Sequence, residues 1–222
     1  MRKITISEEL AVRVPGLQLS CICCDVVFEE VNTQLWTEIE AEIAKIATSL
    51  AIEQISTMPA ISASRTAYKA CGKDPARYRL SAEALLRRVV NRHELYQVSN
   101  VVDALNLVSI STGFSIGGYD NEKISGEVVF GIGNSGEPYS GIGRGELNIE
   151  GMPVFRDAKG AFGTPTSDSE RTSVTAATHS FLMVIIDFGG SDLLEKATSL
   201  ACQLLEKYAH ADRFEIEKIT CR

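Results

Sequence analysis

With 222 residues, 45% of them hydrophobic and 23% charged, the chain can bury one substantial core. A net charge of −7 excludes a protein that coats nucleic acid over its whole surface, and six prolines without any low-complexity tract exclude a disordered tail. Arg2 and Lys3 lead into no apolar secretory stretch, and no apolar run approaches the ~18 residues of a membrane span, so the expectation is a cytoplasmic protein without a membrane partner.

Ile4 to Val14 reads as a short strand and turn, or as a helix starting at Ser7 with Glu8 and Glu9 in its first turn. Leu17 to Phe28 is apolar and rich in strand formers, which predicts a central strand. It contains Cys21, Cys23 and Cys24. With Cys71, Cys202 and Cys221 they are expected to be reduced thiols. Cys21 and Cys23 are predicted to share a core-facing side, because alternate residues of a strand face the same way. A second ligand pair at zinc spacing is missing, so neither metal nor cofactor is expected.

From Val31 to Ile55, apolar residues at Leu35, Ile39, Ile43, Ile46 and Leu50 predict a long amphipathic helix, ended by Pro59. Ile61 to Cys71 follows as a second helix closed by Gly72. Pro75 to Leu80 reads as a rigid connector carrying Arg77 and Arg79. Ser81 is the predicted N-cap of a third helix with Leu85, Leu86 and Val89 inward. A polar link from Asn91 to Val98 leads to a fourth helix, capped by Ser99 or Asn100 and running to about Ser111.

Residues 65–93 set eight Arg and Lys against Asp74 and Glu83, a net +6 in a chain of −7. Such a segment reads either as a solvated helix face or as a local phosphate contact.

After Ser115 glycine becomes frequent, and short strands are expected at Val128–Ile132, Glu146–Ile149 and Val154–Phe155. Gly141-Ile142-Gly143-Arg144-Gly145 precedes no helix, so it shapes a hairpin rather than cradling a nucleotide. Arg156 and Asp157 are read as an ion pair supporting the next segment. Gly160 to Thr178, rich in Gly, Ser, Thr and Asp, reads as a functional loop. A buried strand (Phe181–Phe188), an amphipathic helix (Asp192–Tyr208) and an alternating strand (Phe214–Ile219) complete the chain. The order predicts one α+β domain with mixed and antiparallel sheets in a sandwich-like core flanked by helices. Residues 1–60 form its N-terminal strand and long helix, and 61–222 its core.

The polar residues concentrate in two places. Asp103 and Asn106 lie three apart on one helix, ahead of a Gly117-Gly118 turn that could bring backbone close to a ligand. Gly163 to Thr172 gathers hydroxyls, Asp168, Glu170 and Arg171. No Walker loop, no Gly-x-Ser-x-Gly elbow and no motif for its three His residues accompanies them.

Leu86-Arg87-Arg88, then Val101-Val102-Asp103-x-x-Asn106, then Gly113 to Asp120, occur in the order in which this chain resembles the B-three/B-four editing domain of the phenylalanyl-tRNA synthetase beta subunit. The likeness is best from about Arg77 to Thr175. It implies an α+β fold and a stand-alone module that binds tRNA or aminoacyl-tRNA and hydrolyses mischarged esters. It carries no aminoacylation core and no DNA partner. On this resemblance Asp103, Asn106 and Asp168 would orient substrate or water. Asn100, Gly117, Gly118, Tyr119, Asp120, Gly163, Thr164, Ser167, Ser169 and Arg171 would bind substrate, with amides near Gly118 or Thr164 facing the oxyanion. Arg77, Arg79, Arg87 and Arg88 would meet RNA phosphates.

Two positions depart from the family pattern. Gly117 stands where the synthetase has a His, and Gly163 is followed by Thr164-Pro165-Thr166-Ser167-Asp168 where it has paired glycines and a glutamate. These departures keep two alternatives open: an amino-acid or small-molecule binding module, and a docking protein, each on the same scaffold.

Overall fold

The computed structural model describes residues 1–221. Two four-stranded sheets stack face to face, and helices cover the outer face of one of them. The helix-backed sheet runs β10 (Asp212–Thr220), β2 (Gln18–Asp25), β9 (Ser180–Asp187), β3 (Ser115–Asp120), all antiparallel. The second sheet runs β1 (Ile4–Ile6), β4 (Val128–Ile132), β7 (Pro153–Asp157), β8 (Gly160–Gly163), with β1 parallel to β4 and the other pairs antiparallel. The α+β sandwich expected from the order of elements is the observed fold.

β9 shows why its sequence is apolar without alternation. Phe181, Met183 and Ile185 face the helices, and Leu182, Val184 and Ile186 face the second sheet, so both sides are buried. The inter-sheet core adds Leu19, Cys21, Tyr119, Phe130, Phe155 and Phe162. Cys21 lies fully in that core, Cys23 on the same face is only half-buried, and Cys24 packs on the helix side.

The helix layer consists of α2 (Thr33–Ser49), α3 (Pro59–Ala70), α4 (Ser81–Val90), α5 (Asn100–Thr112) and α6 (Leu193–Ala209); a short α1 (Glu8–Arg13) follows β1. Its N-cap Ser7 accepts from the Leu10 amide. α2 stops at Ser49, short of the expected Ile55, and a single 3₁₀ turn at Ile55–Thr57 precedes Pro59. α4 begins one residue earlier than its sequence suggests. Leu80 is the N-cap and Ser81 is already helical, because the Ser81 amide donates to the Pro165 carbonyl at 2.8 Å.

α5 is apolar almost all round and sits at the centre of the helix layer. Ser99 caps it, and Gly113, at φ 79, takes the left-handed turn that leads directly into β3. Ala197 and Ala201 on α6 are fully buried beside it, small enough to let the two helices approach closely.

Four further expectations are corrected. Gly117 and Gly118 are not a turn but the middle of β3, paired to Val184 and Met183. The expected strand at Glu146–Ile149 shrinks to β6 (Gly145–Glu146), which pairs with β5 (Ser140–Gly141) in a two-residue hairpin ladder. Gly160 to Thr178 is not one loop: it opens with β8 and contains a 3₁₀ turn at Glu170–Thr172. Arg156 and Asp157 do not pair with each other. Adjacent strand residues point to opposite faces, so Arg156 reaches Glu137 (Nε to Oε1, 2.7 Å) and Asp157 meets Arg171.

Candidate functional site

The segment from Thr164 to Ser169 is where the elements join. Its own turn is closed by Thr164, whose hydroxyl accepts from the Ser167 amide (2.9 Å) and the Thr166 amide (3.2 Å). The Tyr139 hydroxyl donates to the Ser167 carbonyl at 2.6 Å, and the Tyr68 hydroxyl lies 2.9 Å from that of Thr166. The Ile142 amide donates to the Asp168 carbonyl at 2.9 Å, tying in the β5–β6 hairpin. With the Ser81 bond already described, the segment anchors the start of α4, the hairpin and the edge of β8.

Asp168 turns into the space between β3 and β8. Its carboxylate accepts from the Tyr119 hydroxyl at 2.9 Å and, at a longer 3.5 Å, from the Gly118 amide. Burial pushes its pKa up to about 7, against the lowering effect of those two donors. The Tyr119 ring lies edge-on to Phe162, 4.9 Å between centroids, and its hydroxyl occupies a slot between two glycines. A Cβ on Gly117 or on Gly163 would each stand 2.1 Å from that oxygen. The place where a side chain at position 117 would project is therefore filled by the protein's own phenol.

The other predicted polar residues are also engaged internally. Asp103 accepts from the Trp36 indole N–H at 2.7 Å and from the Val98 amide at 3.0 Å, and desolvation raises its pKa. Asn100 is fully buried. It accepts from the Glu29 amide and donates to the carbonyls of Val27 and Tyr208, joining three segments. Asp120 accepts from the Thr178 hydroxyl at 2.9 Å and from the Glu122 amide. Arg171 grips Asp157 with two parallel bonds of 2.9 and 3.0 Å, and Ser169 caps the 3₁₀ turn that carries it. These groups hold the loop and the helix entry in place; their polarity is explained by satisfied burial.

Ser169 and Arg171 border a hollow of about 960 Å³ along the hairpin, and a separate groove of about 550 Å³ lies between α4, α5, the hairpin and the Thr166 turn. Arg79, Arg87, Arg88, Arg144 and His93 line it, with Ser81, Asn91, Asn106 and Thr166 as neutral polar groups. Among the described residues no carboxylate lines it. Asn106 and Thr166 share this concavity, while Asp103, Asp168 and the Gly117-Gly118 pair stand outside its lining.

The arginines differ in their commitments. Glu83, almost fully buried, takes Arg65 (2.9 Å) on one oxygen and Arg87 (3.0 Å) on the other. Arg88 donates to the Glu94 carbonyl at 2.7 Å. Arg79 and Arg144 are exposed and make no ion pair among the described residues. Arg77 is exposed but does not line the groove. Sequence reasoning missed Arg144. The signal was the glycine-rich hairpin, which displays that residue at its tip and carries it some sixty positions along the chain to the α4 arginines.

The family model described as the B3/4 domain matches residues 63–210, and the chain belongs to that family. Among solved structures the chain is similar to an N-terminal fragment of the phenylalanyl-tRNA synthetase beta-subunit from Pyrococcus horikoshii. Identity is 13% and the TM-score 0.49, over 98% of this chain and 50% of that one, so the chain spans about half that fragment's length. No curated protein matches. No helix among the described residues is long and apolar enough to cross a membrane.

Proposed function

We propose that this B3/4 domain binds the acceptor end of tRNA or aminoacyl-tRNA in the arginine groove. One observation carries the reading: four guanidinium groups and a histidine converge on one concavity free of carboxylates, on a chain that is otherwise acidic. Arginine forks suit phosphate oxygens, and a local positive cleft on an acidic body attracts RNA at one place only. Membership of the B3/4 family supports the tRNA assignment.

The reading favours binding over ester cleavage. A hydrolytic site needs a carboxylate or imidazole free to take a proton from water beside the scissile ester. Asp103 and Asp168 each receive two hydrogen bonds from the protein and do not line the groove, and His93, the one imidazole on its wall, has no carboxylate beside it there to orient its ring as a base. The test is to titrate the protein with tyrosylated and uncharged tRNA at low salt, following deacylation in the same mixture. Binding of both without accelerated deacylation is the expected result. No binding of either ends the reading, and accelerated deacylation would make the groove a reaction site.

A second reading, a free amino-acid or nucleotide ligand, draws on the groove's size, about 550 Å³, within the usual range for small-molecule pockets. A thermal-shift series with amino acids and nucleoside monophosphates separates it: a marked rise with one of these, and none with tRNA, would favour it.

A further inference from the structure

The link between α4 and α5 holds an aromatic ring in an unusual setting. Tyr96 is 72% exposed in a mostly polar link, in which Val98 is also exposed while Leu95 and the cap Ser99 are buried. Isolated exposed aromatics are common and by themselves mean little. This one is fixed: the Arg88 guanidinium carbon lies 4.4 Å from its ring centroid. Arg88 is itself held by two bonds to the Glu94 carbonyl, at 2.7 and 3.2 Å. A cation on one side of the ring and a pinned loop beneath it leave most of the phenol presented to solvent.

Tyr96 also stands on a border. With His93 it lines both the arginine groove and a second groove of about 870 Å³ between α2 and the link. That second groove has apolar walls, Trp36, Ile43, Val89 and Leu95 among them. Its charges are mixed, Glu40 and Glu94 against Arg92, so it is a poor place for phosphate. Phosphate therefore belongs on the arginine side and a flat, weakly polar group on the other. A nucleotide has this division within one unit.

We infer that Tyr96 is the stacking platform for an unpaired base at the 3′ end of the RNA whose phosphates the arginine groove holds, with the apolar groove beyond it receiving that base. The inference rests on the tRNA-binding reading above and extends it to single-stranded rather than duplex RNA. Bases stack on exposed aromatic rings regardless of sequence, and a neighbouring arginine strengthens the contact.

The test uses a hairpin RNA with an unpaired 3′ tail and the same hairpin ended flush, each titrated by fluorescence anisotropy at low salt. Wild-type protein is expected to prefer the tailed RNA. Tyr96→Ala weakens tailed binding roughly tenfold and flush binding far less, while Tyr96→Phe keeps the preference. Equal affinity of wild type for both RNAs overturns the inference and leaves the apolar groove to another occupant, such as a second copy of the chain. So does a Tyr96→Ala variant that binds tailed RNA as wild type does. In both cases, loss of binding in Arg79→Ala/Arg144→Ala would still uphold the arginine groove as an RNA site. No binding of either RNA by wild type overturns both readings.

Discussion

The Tyr119 hydroxyl donates to the Asp168 carboxylate across the gap between the edge strands of the two sheets, 2.9 Å from β3 to the segment after β8. Only glycine on both sides leaves room for that phenol. Gly117 precedes it on its own strand, and Gly163 faces it from the other sheet.

Gly117→Ala and Gly163→Ala are each expected to destabilise the fold by about 1–3 kcal/mol, the usual cost of forcing a group into a filled core. The added methyl would meet the Tyr119 hydroxyl at 2.1 Å, and the neighbouring ring carbon at 2.5 Å from Gly117 or 2.7 Å from Gly163. In a Tyr119→Ala background the same glycine changes should cost little. Urea denaturation of the four proteins in either double-mutant cycle measures the coupling. Additive effects would show that the phenol does not fill the slot.

Asp168 gives a pH signature. Its carboxyl titrates near 3.8 when unperturbed and near 7 in the folded protein, so between those values the folded state binds more protons than the unfolded one. Its contribution to stability therefore falls as pH rises through that window. Glu137 and Asp157, whose pKa values are lowered by Arg156 and Arg171 against their own desolvation, act in the opposite sense and lose their contribution as pH falls. Asp168→Asn isolates the one from the others. The variant should gain on wild type steadily from pH 4 to pH 7, read as the difference between their urea midpoints. A constant difference across that range would contradict the assignment.

Glu83 holds Arg65 and Arg87 from a buried position at the inner end of both pairs. Glu83→Ala removes two charge-assisted bonds, and about 2 kcal/mol of stability should go with them. The same change releases Arg87 toward the groove, so RNA affinity at low salt should rise while the denaturation midpoint falls. A parallel fall in both would place Glu83 in the binding surface.

Much of the fold was legible because burial wrote it into local pattern. β9 is apolar at every position because both its faces are covered, and α5 announces itself through Ser99 and Gly113 at its ends. The polar site was less legible. Asp103 and Asn106 look alike in sequence, three apart on one helix. One is consumed by Trp36, 67 positions away, and the other opens on a groove. Local spacing does not encode which buried carboxylate finds a distant donor. Gly117-Gly118 read as a turn because glycine favours turns. Here Gly117 makes room for Tyr119, while Gly118 lies against Leu105 and Phe181. Arg144 was invisible for the same reason: the α4 arginines that share its groove are distant in sequence and are joined to its hairpin through the 164–169 segment.

The arginine groove itself is tested most directly by the salt dependence of tRNA binding, compared between wild type and Arg79→Ala/Arg144→Ala. Both side chains are exposed and unpaired among the described residues, so their loss should leave the fold intact. Each phosphate contact releases bound counterions, so the slope of log affinity against log salt should shrink by about 1.5 in the double variant. An unchanged slope with unchanged affinity would contradict the account.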